Sequence, residues 1–266
     1  MSLELPNRAL KRCFGSSTLG DEFAHGMYGR RKLLDLLLVT LLFSALIVTT
    51  SADDGARIPP PLKFYKGRQI APTMGHSGAW WLTRDVREQE EHSTTMLRAL
   101  QVEPGQTVCD LGCGNGYHAL RLAKLVGRQG TVLAVDIQQE MLDMLEERAK
   151  QHEIRNIKTV LGTIVDPKLP RGSVDMFLLV DVYHEFSHPE HMLQAIRRSL
   201  KPAGLVALVE FREEDPSVPI KPLHKMSKKQ ILIEFPANGF KLVRQFDRLP
   251  WQHVMFFQRD DRWMPE

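Results

Sequence analysis

The stretch VCDLGCGNGYHAL, residues 108–120, decides how this chain folds. It begins as a short apolar strand that runs out through Asp110 and Leu111. Gly112, Gly114 and Gly116 follow at alternate positions, and then the amphipathic run GYHALRLAKLVG closes at Gly127. Glycine lets a chain turn sharply and lets its backbone come close to a ligand. Strand, glycine-rich turn and helix, in that order, is the context such a motif needs. The spacing is G-x-G-x-G, not the dinucleotide G-x-G-x-x-G, and an acid stands directly before it. Asp110 would repel a pyrophosphate and suits a cation such as an amino-acid ammonium. Asp136 ends the next strand, GTVLAVDI, 20 residues after Gly116. A carboxylate there accepts hydrogen bonds from ribose hydroxyls.

The alternation continues outward. QEMLDMLEERAKQH reads as a helix, NIKTVLGT and SVDMFLLVDV as strands, PEHMLQAIRRSL as a helix with Pro189 in its first turn. GLVALVEF is a strand and SKKQILIEFPANG a helix capped by Ser227. FKLVRQFDRLP and WQHVMFFQRD close the chain as a tightly joined antiparallel pair. Continuous apolar strands alternating with helices indicate an α/β, doubly wound, mostly parallel sheet covered on both faces. Before the glycine loop, Leu82 to Leu100 reads as a charged helix with Val86, Met96, Leu97 and Leu100 inward.

From about Gln89 to Arg259 the chain resembles a class I S-adenosylmethionine-dependent methyltransferase. VCDLGCGNG is similar to that family's first motif and VLAVDI to its second. SLKPAGLVALVEF is similar to the segment leading into the fifth strand, with Ala203 where the family usually has Gly. The resemblance implies a Rossmann-like, seven-stranded sheet over residues 83–260 with its last strand inserted antiparallel. It implies S-adenosyl-L-methionine as cofactor. Asp110, Gly112, Gly114, Asn115 and Gly116 would then meet its methionine part, Asp136 its ribose and Ile137 its adenine. Thr163 stands where the family often has an acid, so Asp166 is a candidate substitute for the adenine contact; Asp181 also falls at the cofactor mouth.

Ligands of open α/β sheets sit at the carboxyl ends of the strands. Tyr183, His184 and Glu185 end the fourth strand, which makes them the candidate catalytic residues; Glu210 at the end of the fifth is a weaker one. Methyl transfer draws most of its rate from proximity, and it needs a base only where the acceptor must lose a proton. His184-Glu185-Phe186-Ser187-His188 is also a literal H-E-x-x-H, the zinc-peptidase string. That chemistry needs both imidazoles on one helix face, whereas here a strand runs out into a loop and Pro189 follows at once. No metal site is expected from the string. RQIAPTMGHSGAWW, with Trp80 and Trp81, can fold over the site as a lid. His224, Lys225, Lys228 and Lys229 read as a solvated helix start, with contact to an anionic substrate as the lesser reading.

Bulk properties narrow the ligand. Beyond residue 52 there are 29 Lys and Arg against 28 Asp and Glu, so no basic field marks the chain for nucleic acid. A small-molecule substrate is the expectation. Cys13, Cys109 and Cys113 are too few and too scattered for a disulfide framework. They are also too few for arsenic methylation, which some relatives perform with several dedicated cysteines.

Residues 1–32 are polar and end in Arg30, Arg31 and Lys32. Residues 33–52 are an apolar run with small residues at its exit, and 53–82 form a Pro- and Gly-rich linker. This is the pattern of a signal peptide or a membrane anchor, with Met27 a plausible start. It implies an exported or membrane-anchored protein, and a cytoplasmic one where the leader does not function. An exported domain would leave the compartment that makes the cofactor. A non-catalytic cofactor-binding or membrane-attached protein and a zinc metallopeptidase using His184, Glu185 and His188 remain the competing functions. Oligomeric state is open.

Overall fold

The computed structural model describes residues 58–264. The apolar run 33–52 and Met27 lie outside the described residues. Among the described residues, no helix is long and apolar enough to cross a membrane.

A two-stranded hairpin comes first, β1 (Phe64–Tyr65) and β2 (Arg68–Gln69), followed by a 3-10 turn over His76–Thr83. Then come α1 (Arg87–Glu91), α2 (Ser93–Leu100), β3 (Thr107–Leu111), α3 (Ala119–Val126), β4 (Thr131–Asp136) and α4 (Gln139–Gln151). They are followed by β5 (Ile157–Leu161), β6 (Val174–Val180), α5 (Pro189–Ser199), β7 (Leu200–Phe211), α6 (Lys228–Ala237), β8 (Phe240–Phe246) and β9 (Gln252–Arg259). The main sheet has seven strands in the order β5-β4-β3-β6-β7-β9-β8. All its pairings are parallel except those of β9, which runs antiparallel between β7 and β8. The order reverses between β3 and β4 on one side and β6 on the other, and ligands bind at such a switch point.

The pattern of residues explains the two covered faces. β6 and β7 are apolar on both sides because helices bury both. α4 turns Met141, Leu142, Leu145 and Ala149 inward at helical spacing and leaves its charges to water. α3, α4 and α2 cover one core, which includes Leu122, Leu145 and Phe256. α5 and α6 cover the other, where Phe235 stacks on Phe257 at 4.3 Å. Truncating a fully buried phenylalanine such as Phe235 costs about 3–5 kcal/mol. Pro189 opens α5, and the Ser227 hydroxyl caps α6 by accepting from Gln230 N at 3.3 Å, both as expected.

Two expectations fail upstream. The single helix over 82–100 is broken at His92, whose φ of 51° is left-handed. Val86 is exposed, and Arg87 and Glu91 are buried in its place, because Glu91 pairs with both Arg87 and Arg84. Residues 58–82, read as a linker, dock onto the domain. Leu62 N donates to Ser187 O and Ala71 N to His184 O, each at 3.0 Å. Arg68 forks onto the buried Glu234 carboxylate of α6 at 2.7 and 3.0 Å.

Candidate active site

One cavity of about 610 Å³ opens at the carboxyl ends of β3, β4, β6 and β7. Its size suits a drug-sized ligand. Gly112, Gly114, Asp136, Ile137, Thr163, Asp181, His184 and Glu185, all expected from the sequence, line it.

At one end stands the glycine loop. Gly112 and Gly114 hold φ of 73° and 51°. A Cβ on Gly112 would run into the Val182 side chain, and one on Gly114 into Leu82. Asp136 braces the loop, accepting from Gly114 N at 2.9 Å and from Gln138 N at 3.0 Å. Asp110 lies beneath the loop and its Oδ2 is buried with no protein partner. Burial pushes its pKa up to about 7, against the pull of Arg87. Asp181 sits at φ 50°, a strained left-handed position for a non-glycine residue. Its Oδ2 accepts from Gln252 Nε2 at 2.6 Å, while its Oδ1 is buried and unpartnered. Burial, with Glu91 and Glu210 nearby, holds its pKa well above the ordinary value.

At the other end the fourth strand runs out. His184 Nδ1 lies 2.7 Å from Glu210 Oε2, and its Nε2 lies 3.2 Å from His224 Nδ1. Glu210 Oε1 accepts the backbone N–H of Tyr183 at 3.0 Å and that of His184 at 3.3 Å. Burial opposes charge on His184, but the Glu210 carboxylate outweighs it, and the imidazole pKa is raised. Burial lifts the pKa of Glu185 to about 7, although His184 and the Met74 N–H at 3.2 Å favour its ionised form. His224, on a short turn over Pro222–His224, has its pKa lowered by burial and by the His184 charge.

Other sequence candidates go elsewhere. Tyr183 is fully buried and its hydroxyl donates to Glu234 Oε2 at 2.7 Å, so it locks α6 and does not reach the cavity. Asn115 points away as well: its amide donates to Ala79 O at 2.9 Å and its carbonyl accepts from Arg148. Gly116 packs on Leu145. Asp166 pairs with Arg198 at 3.2 Å on the surface and does not line the cavity, while Thr163 and Ile164 do. Lys225 donates to backbone carbonyls and Lys228 pairs with Asp247. Trp80 is exposed, whereas Trp81 and Leu82 border the cavity as part of the expected lid segment.

The H-E-x-x-H string is not a helix. Tyr183–Glu185 form one 3-10 turn and α5 starts at Pro189. His188 Nε2 donates to Pro59 O at 2.7 Å, away from His184. His184 and Glu185 instead converge with His224, 39 residues beyond Glu185 in the chain.

Sequence reading missed Arg87, Glu91, Gln138 and Lys221, which also line the cavity, while Met74 lines it from within the expected lid segment. Gln138 pins the lid segment by donating to Met74 O at 2.9 Å and accepting from His76 N at 2.8 Å. The only available hint was the i,i+4 pairing of Arg87 with Glu91, which occurs more often on solvated faces.

Residues 102–251 match the family described as "Methyltransferase domain". The chain belongs to that family. A 2-phytyl-1,4-naphtoquinone methyltransferase of Trichormus variabilis is 33% identical over 144 residues, 54% of this chain and 62% of that protein. A demethylmenaquinone methyltransferase of Staphylococcus saprophyticus is 24% identical over 192 residues, 70% of this chain and 78% of that one. The chain spans from about a third to under two-thirds of the length of the first curated relatives it matches. The crystal structure of a SAM-dependent methyltransferase from Aquifex aeolicus aligns with a TM-score of 0.67 at 22% identity, over 70% of this chain and all of that one. This likeness confirms the fold.

S-adenosyl-L-methionine is the cofactor of this methyltransferase class, and the cavity fits it. Asp181 Oδ1 on the cavity wall is a buried acceptor lacking a donor, as is Asp110 Oδ2 beneath the glycine loop and off the wall, which suits a cationic amino-acid end. The glycine loop leaves no room for side chains where a backbone must meet a ligand. A carboxylate has about four lone-pair sites, so Asp136 can accept from ribose hydroxyls while still holding the loop. Ile137 and Ile164 present exposed apolar edges suited to a purine.

Proposed function

We propose that this methyltransferase moves a methyl group from S-adenosyl-L-methionine to a small molecule whose accepting atom must lose a proton. One observation carries the reading: a single cavity runs from the glycine loop and Asp136 to the His184–Glu210 pair. When bound, the cofactor supplies an electrophilic methyl. The chain supplies position. Asp110, Asp181 and the backbone of Gly112–Gly116 would hold the amino-acid end, Asp136 the ribose, and Ile137 with Thr163 the base. His184, held in one orientation by Glu210, and Glu185 face the acceptor and would assist the loss of its proton. The apolar wall from Phe186, Met192 and Phe211 suits an aromatic ring and excludes water.

The acceptor class to screen first is hydroxylated aromatics, naphthoquinones included, because two relatives bear quinone names. Calorimetric titration with the cofactor, then a methyl-labelled screen of such compounds, tests the reading; no cofactor binding would sink it. Nucleic acid is not expected as a partner, since charge beyond the leader is balanced. Export or membrane attachment through residues 33–52 rests on sequence alone. Fractionation of the native protein with protease accessibility would decide it.

A further inference from the structure

We propose that His184, Glu185 and His224 bind one divalent transition-metal ion at the acceptor end of the cavity. Their ligand atoms lie within 4.8 Å of one another, from two chain segments that the turn after β6 and the Pro222–His224 turn bring together. Two nitrogens bound at about 2.0–2.1 Å in a tetrahedral site stand roughly 3.3 Å apart. His184 Nε2 and His224 Nδ1 stand at 3.2 Å. Glu185 Oε1 is 4.0 Å from His184 Nε2 and, like the others, within 4.8 Å of each partner, so its carboxylate closes the triangle with a swing of up to about 1.5 Å.

The support behind the triangle is that of a ligand set. Glu210 can only accept when ionised, so it fixes the proton on His184 Nδ1 and turns the Nε2 lone pair toward the cluster. Glu210 is itself held by two backbone N–H groups. Arg68 lies near this end, but the Glu234 carboxylate neutralises it. Two imidazoles and one carboxylate favour zinc, iron, cobalt or manganese over magnesium or calcium. All three ligands line the cavity, so the remaining coordination positions face the substrate.

The role of the ion rests on the methyl-transfer reading, although its binding does not. An acceptor hydroxyl on the ion would release its proton to solvent more readily. Its oxygen would then form the C–O bond while the C–S bond returns its electron pair to sulfur.

The full chain, stripped with a chelator, should be titrated with Zn²⁺ by calorimetry and with Co²⁺ by visible absorption. We expect one high-affinity ion per chain and a ligand-field band of low coordination number. His224→Gln sits on an exposed-edge turn outside both cores and should fold. It should weaken binding by at least about 100-fold, and Glu210→Gln by about 10–100-fold. No stoichiometric ion, or an ion retained in His224→Gln, would overturn the proposal. Full turnover in chelated protein, lost in His224→Gln, would overturn the ion's role in catalysis and mark the histidine pair as a proton relay. Separate titration with the cofactor keeps the outcomes apart: cofactor binding without metal sinks this inference alone, and metal binding without cofactor sinks the methyl-transfer reading alone.

Discussion

The two ends of the cavity are built in opposite ways. The cofactor end is nearly contiguous: Leu111, Gly112 and Gly114 with Asp136 through Gln138 supply much of it, from adjacent strands β3 and β4. The acceptor end is assembled from Met74, His184, Glu185, Glu210 and His224, which span 150 residues. A local end depends on backbone geometry, whereas an assembled end depends on the contacts that carry its pieces there. Breaking those contacts should therefore harm the acceptor end first.

One such contact is Arg68 with Glu234, both nearly buried, with the Tyr183 hydroxyl on the same carboxylate. Arg68→Met leaves the Glu234 charge without its partner. It should cost about 3–5 kcal/mol by denaturant unfolding. Replacing both, Arg68→Met with Glu234→Gln, should recover much of that loss. A single variant as stable as the parent would show that the hairpin is not what seats α6 against the acceptor end.

His184→Gln separates the two ends directly. It should lower the methylation rate by about 10²–10⁴-fold, the usual range for a positioned acid or base. Cofactor affinity should stay within about twofold, because His184 belongs to the far end. A matching loss of cofactor affinity would merge the two ends into one. Gly112→Ala is the reciprocal probe. Its φ of 73° and the adjacent Val182 side chain admit no Cβ. A left-handed alanine alone costs about 1–2 kcal/mol, so cofactor affinity should fall by about tenfold or more by calorimetry. The Zn²⁺ affinity of the cluster should be unchanged.

The same contrast explains what could be read before folding. The strand–helix alternation, the antiparallel closing pair and the glycine loop follow from periodicity and short motifs, which one window of sequence contains; the strand order and the insertion of β9 come only with the family resemblance. Gly112, Asp136 and Ile137 were legible because their chemistry and spacing sit together. His184 and Glu185 were legible as strand-end residues, but what they face was not. His224 read as a solvated helix start because nothing near it in sequence reveals that its turn returns to the end of β6. Tyr183 was misplaced for a related reason. Side-chain direction after a strand ends is set by the turn, and the 3-10 geometry at Tyr183–Glu185 sends its ring into the core beside Phe186 and Phe235. Arg87 and Glu91 looked solvated because burial of an ion pair depends on partners such as Gln252, 161 residues after Glu91.

The smallest expected effect tests the cofactor end by protons. Burial, outweighing Arg87, lifts Asp110 to about 7 from an ordinary 3.8. A raised carboxylate binds its proton more tightly folded than unfolded. Its contribution to stability is therefore complete below the ordinary value and is lost as pH rises through about 7. A cationic ammonium beside Asp110 would prefer the ionised form. Cofactor affinity should rise up to about tenfold per pH unit from pH 5.5 toward 7 and then level off. Binding near pH 6 should release a proton, which calorimetry in buffers of different ionisation enthalpy would detect. Asp110→Asn should flatten the slope and abolish the release. If the slope survives in that variant, Asp181 becomes the group that meets the ammonium, since it is the other buried carboxylate with an oxygen lacking a donor.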